Sequence, residues 1–134
     1  MPTTTFASVV LYVPKDAKAV LDFYVKAFDL KMRHYDPAFD FGELDTGTTS
    51  IAVAAHSAGR FMAGDKYAPT EDGYPKNVEL AFLTKDVDAA YQRAVESGCT
   101  PLCSPKVMPW GQSVAYVRSI EGTLVGLLSP IVTS

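Results

Sequence analysis

The chain has 134 residues and a net charge of −3, from 12 Lys and Arg against 15 Asp and Glu. With 48% hydrophobic and 20% charged residues, it is a folding chain of single-domain size, neither disordered nor basic enough for a nucleic-acid partner. The longest apolar runs, such as Ile51 to Ala55, fall far short of the ~20 residues of a membrane span. The start, Met1-Pro2-Thr3-Thr4-Thr5-Phe6, lacks the basic and apolar regions of a secretory signal, so the expected location is the cytoplasm.

Residues Val9 to Ala19 read VVLYVPKDAKA, and residues Glu79 to Ala89 read ELAFLTKDVDA, a repeat offset by 70 residues. Each copy opens on an apolar run suited to a buried strand and continues into Lys-Asp, with Asp16 and Asp86 placed to cap a helix. The first helix carries Ala17, Val20, Leu21, Tyr24 and Phe28 at spacings of three and four. Asp29 stands at its C-terminal end. Strand-like runs follow at Lys31 to Tyr35, Phe39 to Asp45 and Thr49 to Ala55, separated by Asp36-Pro37 and Thr46-Gly47. Phe39 and Phe41 alternate with Asp40 and are expected on one strand face.

Ala58 to Lys76 is rich in Gly, Pro and charge and reads as a linker, with Arg60, Phe61, Tyr67 and Tyr74 along it. The second helix carries Val87, Ala90, Tyr91, Ala94 and Val95 and ends at Gly98. Its strands are expected at Thr100 to Ser104, Ser113 to Ser119 and Leu124 to Ser129, with turns at Trp110-Gly111 and Glu121-Gly122. Each half is therefore β-α-β-β-β, an α+β arrangement. Module 1 is expected over about 5–57, the linker over 58–76 and module 2 over 77–131. Cys99 and Cys103 lie four apart. In a strand that is ~13 Å, too far for a disulfide, and two reduced thiols are expected.

The chain resembles the vicinal-oxygen-chelate superfamily, which spans glyoxalases, extradiol dioxygenases and bleomycin-resistance proteins. The resemblance rests on Leu11-Tyr12-Val13 with Asp16, Phe23-Tyr24 with Phe28-Asp29-Leu30, and Phe82 with Asp86 through Ala90. It continues through Gly98, Trp110-Gly111-Gln112, Ala115 to Arg118 and Glu121 to Val125. It implies two modules forming a half-open curved barrel around a cleft, and a homodimer. It also implies where metal ligands would stand. Counting seven residues back from the Asp at each helix start gives Val9 and Glu79, and counting four on from each turn glycine gives Ile51 and Gly126. Three of these offer no side-chain donor, and a shift by one residue brings Ser8, Val10, Val125 or Leu127, no better as ligands. No metal or other cofactor is therefore expected, although a divalent ion held in an unusual way by His34 or His56 stays open.

The candidate ligand contacts are Phe39, Phe41, Arg60, Phe61, Trp110 and Tyr116. Arg60 and Arg118 suit an anionic group, and Trp110, the only tryptophan, suits a flat ligand or an interface. Glu79 is the candidate catalytic base if it faces a cleft, and a solvated edge residue if it does not. The expected function is metal-free binding of an antibiotic-like or aromatic molecule, in the manner of bleomycin-resistance proteins. The alternative is a divergent glyoxalase-type lyase or isomerase, or a dioxygenase-like enzyme, using Glu79 as base. The expected partners are the small-molecule ligand and a second copy of the chain, with no nucleic acid and no membrane.

Overall fold

A computed structural model describes residues 6–67 and 78–130. The chain divides into two compact units, 1–70 and 71–134. Tyr74 and the rest of the expected linker from 68 onward lie outside the described residues.

Unit 1 runs β1 (Ser8–Val13), α1 (Ala17–Phe28), β2 (Lys31–Asp36), β3 (Phe41–Asp45), β4 (Ser50–Ala55) and α2 (His56–Ala63), followed by a 3-10 turn (Gly64–Lys66). Its strand order is β1-β4-β3-β2, with β1 parallel to β4 and the other pairs antiparallel. Unit 2 runs β5 (Glu79–Leu83), α3 (Val87–Glu96), β6 (Thr100–Val107), β7 (Ser113–Arg118) and β8 (Leu124–Leu128), in the matching order β5-β8-β7-β6. The β-α-β-β-β pattern is thus present twice. The segment after β4, expected as linker, begins instead with α2.

The core of unit 1 lies between its sheet and α1, whose Ala17, Val20, Leu21, Phe23, Tyr24 and Ala27 are buried. Gly42 fixes which face of the sheet this is. A Cβ there would stand 2.5 Å from Leu21 Cδ1 and 2.7 Å from the His34 carbonyl oxygen, so β3 can approach α1 only as glycine. Gly42 lies opposite Val53, and Val53 opposite Leu11. Alternation then places Val9, Val13, Ile51 and Leu44 on the α1 side, and Tyr12, Ala54, Phe41 and Glu43 on the other. In unit 2 the buried Leu80, Val125, Leu127, Val117 and Ala115 form the face under α3. Glu79, Gly126 and Tyr116 take the opposite face.

Both helix starts are capped by the expected aspartates, which accept from Ala19 N–H and Ala89 N–H. The two starts differ in backbone, however. Asp86 is extended, whereas Asp16 is left-handed at φ 58°, a conformation that aspartate tolerates better than most residues. Asp40 holds it there. Its carboxylate accepts from Asp16 N–H (2.8 Å), Ala17 N–H (2.9 Å) and Tyr35 O–H (2.7 Å). Asp40 is itself left-handed, at φ 52°, and this corrects one expectation. The left-handed residue interrupts the extended chain between Phe39 and Phe41, so β3 starts at Phe41 and the two rings share no strand face.

Asp29 closes α1 in a left-handed conformation, and its N–H donates to Val25 O. Both cysteines are free. Burial, with a smaller contribution from the Glu121 charge, pushes the Cys99 thiol up to about 11, so it stays protonated and inert at neutral pH.

Replacing Asp40 with Ala removes the acceptor for two helix N–H groups and a phenol, and the expected loss is about 1–2 kcal/mol in urea unfolding. The same carboxylate, through its hydrogen bond and charge, raises Tyr35 to about 12. The folded chain therefore holds that proton more tightly than the unfolded one. The resulting stability is complete below about pH 10 and is lost as pH rises toward 12. An ultraviolet titration should show one of the seven tyrosines ionising last in the wild type and moving back toward 10 in Asp40→Ala.

Gly42→Ala should cost about 2–3 kcal/mol, because backbone as well as side chain blocks the new methyl. Gly126→Ala should cost less than about 1 kcal/mol, because the atom nearest its added Cβ is the end of a flexible side chain. A shared urea series compares the two.

Candidate functional site

On the face of unit 1 turned away from α1, register pairs Tyr12 with Ala54 and Ala54 with Phe41. Phe41 lies against the His34 ring, with centroids 5.7 Å apart. Tyr67 stands edge-on to Tyr12 at 5.1 Å. Of the small β4 residues on this face, Ala54 thus lies between Tyr12 and Phe41, Ala52 between Val10 and Glu43, and Ser50 between Ser8 and Asp45. Farther along β2 and β3, Glu43 pairs with Arg33 (3.5 Å) and His34 (3.4 Å), and Arg33 also reaches Asp45 (3.3 Å). The Gly47 N–H, helped by Arg33, holds the Asp45 carboxyl below the usual carboxylate range. These exposed charges balance one another locally and contribute little to stability.

At one end of this sheet, Phe39 from the β2–β3 turn meets Phe61 from α2 with ring centroids 5.8 Å apart. Both are largely in solvent, Phe39 54% and Phe61 73% exposed. Arg60 is exposed beside Phe61 on α2. An aromatic pair left in water is an ordinary sign of a contact surface. The structure therefore brings together Phe39 and Phe61, with Arg60 adjacent in sequence, and gives Phe41 a different neighbour, His34. Sequence reasoning missed the part that Tyr12 and Tyr67 take. Alternation along β1 could have signalled Tyr12, since Val13 must face the core and Tyr12 must then face away.

In unit 2, Tyr116 lies opposite Gly126 in register. A Cβ on Gly126 would fall 2.6 Å from Glu79 Oε2 and 3.0 Å from Tyr116 Cε1. The Glu79 carboxylate thus lies over Gly126, beside the Tyr116 ring. Glu79 faces away from α3 on the exposed edge strand β5. Cys103 lies opposite Tyr116 and is partly exposed. Trp110 is 56% exposed, yet its position is fixed. Its Nε1–H donates to Gln112 Oε1 (2.9 Å), and Gln112 Nε2 donates to the Ser129 carbonyl (2.8 Å). Arg118 shares the Glu79 face, paired through Leu124.

The metal positions implied by the resemblance do not form a ligand set. Val9 and Ile51 lie opposite each other and face α1, and Gly126 has no donor. Glu79 is the single carboxylate. The neighbours of Val9 and Ile51 that face away from α1 are Ser8, Val10, Ser50 and Ala52, which supply at most neutral hydroxyls. Among the described residues, no three His, Cys, Asp or Glu side chains converge as ligands would. These residues do not fit a catalytic divalent ion, which is ordinarily held by three protein donors.

The same positions show that the repeat is not face-preserving. Val9 and Glu79 are equivalent at the 70-residue offset, but Val9 faces its helix and Glu79 faces away. At the strand ends, Val13 is buried whereas Leu83 is 71% exposed. The left-handed Asp16 against the extended Asp86 marks the different paths by which the two strands reach their helices.

The family model described as Glyoxalase/Bleomycin resistance protein/Dioxygenase superfamily matches residues 5–127, and the chain belongs to that superfamily. An uncharacterised Mycobacterium bovis protein, Mb0911c, is 30% identical over 124 residues, covering 89% of this chain and 80% of its own. Among solved structures, a glyoxalase/bleomycin resistance protein/dioxygenase family enzyme from Burkholderia phytofirmans has a TM-score of 0.81 at 22% identity. That likeness covers 94% of this chain and 98% of the other. A glyoxalase-related enzyme from Fulvimarina pelagi has a TM-score of 0.79 at 19% identity, covering 94% and 88%. At these identities the structures share the fold.

In native protein, a thiol reagent should label Cys103 within minutes and leave Cys99 unmodified until urea unfolds the chain. Equal labelling of both would contradict the burial of Cys99.

Proposed function

We propose that this protein binds a small, flat, amphipathic molecule without chemical change, in the manner of the bleomycin-resistance branch of its superfamily. The exposed Phe39–Phe61 pair, with Arg60 alongside, carries this reading. Flat rings give large contact area at small cost in conformational entropy, and a neighbouring guanidinium suits an anionic or stacking group. The donor-poor set Val9, Ile51, Glu79 and Gly126 supports binding over metal-assisted chemistry. In unit 2, taken by itself, Trp110, exposed but held by Gln112, and Tyr116 are candidate contacts. The working form is a cytoplasmic homodimer that needs no cofactor.

A second reading is favoured by one observation, the Glu79 carboxylate lying over Gly126 against Tyr116. There Glu79 would act as general base of a glyoxalase-type lyase or isomerase, and hydrogen-bond reach to a substrate C–H or O–H would be its requirement.

Isothermal titration with metal-free bleomycin separates the two. The expected result is saturable binding, weakened about tenfold by Phe61→Ala and changed less than twofold by Glu79→Gln. Absence of binding to the wild type would reject the bleomycin-type reading. Turnover of a hemithioacetal substrate that Glu79→Gln abolishes would establish the second. Native mass spectrometry after dialysis against Zn, Mn, Fe and Ni in turn should show a dimer without stoichiometric metal. One tightly held ion per chain would overturn the ligand assignment.

A further inference from the structure

Helix α2 carries Arg60 and Phe61, yet little of the helix itself holds it in place. It has eight residues, and Ala55 at its N-cap makes no side-chain hydrogen bond. Only His56 and Gly59 are buried. Met62, like Phe61, stands in solvent. An uncapped helix of this length has no independent stability and depends on tertiary contacts.

One side chain meets both buried residues of the helix. Past the 3-10 turn, the chain brings Tyr67 back over α2. The Tyr67 ring packs against Gly59, where a Cβ would be 2.5 Å from Cε2 and 2.7 Å from Cζ. Its hydroxyl is 2.5 Å from His56 Nδ1, to which it donates when that nitrogen is unprotonated. Its edge meets Tyr12 on β1. Tyr67 therefore touches both buried residues of α2 and ties them to the sheet. The reversal that permits this passes through Gly64 at φ 71°, ψ −148°, a region open essentially to glycine.

We infer that Tyr67 is the latch that docks α2 on β1, and through α2 the positioning residue for Arg60 and Phe61 at the aromatic contact surface. The latch is a property of unit 1 alone. Its consequence for a ligand rests on the function proposed above. Closed, it sets Phe61 against Phe39 and presents a preformed flat surface. Open, it separates the rings and uncovers Tyr12. A flat molecule stacked on both phenylalanines binds the closed form better and shifts the population toward it.

Amide hydrogen exchange on the whole chain tests the latch without any ligand. Tyr67→Phe keeps the ring and removes the hydroxyl, whereas Gly59→Ala forces the ring off the helix. In both variants, peptides covering His56–Ala63 should exchange about fivefold faster or more, as expected for loss of one hydrogen bond or a close contact. Peptides from α1 and α3 should stay at wild-type rates. Phe61→Ala, which removes the Phe39 ring contact and leaves the Tyr67 contacts in place, should accelerate α2 exchange less than either latch variant. Unchanged α2 exchange in both Tyr67→Phe and Gly59→Ala would overturn the inference. So would equal acceleration in α1, which would mark a general packing defect.

Titration of the same proteins with metal-free bleomycin isolates the consequence. Both latch variants should bind several-fold more weakly than the wild type. If Phe61→Ala binds bleomycin as the wild type does while α2 exchange responds as stated, the latch stands and the ligand reading fails. If Phe61→Ala weakens binding but the latch variants do not, Tyr67 has no positioning role.

Discussion

The Asp40 carboxylate joins its own turn to the end of β2 and to the start of α1, the latter distant in sequence. It accepts from the backbone of Asp16 and Ala17 at the start of α1 and from Tyr35 at the end of β2. The bonds from Ala17 and Tyr35 are partly buried, where a missing acceptor would be costly, so the β2–β3 turn and the helix start stay in register with each other. Asp16 is thereby kept left-handed and Val13 stays turned into the core. Because side chains alternate along a strand, this one junction decides which half of β1 faces α1 and which half faces the aromatic surface. Tyr12 belongs to that surface for this reason.

The architecture follows from two faces per sheet. One face of each sheet is buried under a helix, which accounts for the fully apolar rows Val9-Ile51-Leu44 and Leu80-Val125-Val117. The opposite face carries the residues with chemistry, and its content differs between the units. Unit 1 offers rings, small β4 side chains and a self-balanced set of charges around Glu43. Unit 2 offers a carboxylate, a phenol and a thiol around Gly126. An internal repeat therefore supports two dissimilar surfaces, which is how one superfamily fold carries unrelated activities.

Much of the fold was legible in the sequence because its signals are local. Apolar periodicity marked α1 and α3, aspartates marked their starts, and Gly98 and Asp29 marked their ends. What escaped depended on contacts between distant residues. The left-handed state of Asp16 is set by a residue 24 positions away, so the 70-residue offset suggested equivalent faces where there are none. Phe39 and Phe41 alternate in sequence, but Asp40 leaves the strand conformation to serve as an acceptor, and that alternation loses its meaning. Helix α2 was hidden because its docking uses glycine, histidine and a returning tyrosine in place of an apolar stripe. Of the site, the separate side chains were readable: Phe39, Phe61, Trp110 and Tyr116 are large, partly exposed aromatics. Their pairings were not, since a ring contact between a turn and a helix leaves no periodic trace.

The two surfaces also differ in how firmly they are held, and this bears on what each can recognise. Tyr116 and Glu79 sit on strands whose neighbours are fixed by backbone pairing, and Trp110 is tied through Gln112 to Ser129. Moving their backbones means breaking sheet hydrogen bonds, and displacing the Trp110 ring means breaking its bond to Gln112. Phe61 and Arg60 sit on a short helix that buries two residues. Local opening there costs far less than global unfolding, and binding elements are commonly drawn from such regions. A rigid face selects by shape, whereas a weakly docked helix adapts to ligands of different thickness at some cost in affinity. A protein whose task is to hold a molecule, without aligning it for reaction to within a fraction of an ångström, can place its main contact surface on the adaptable element. An enzyme of this fold would have to place its reacting groups on the strands, where Glu79 and Tyr116 are.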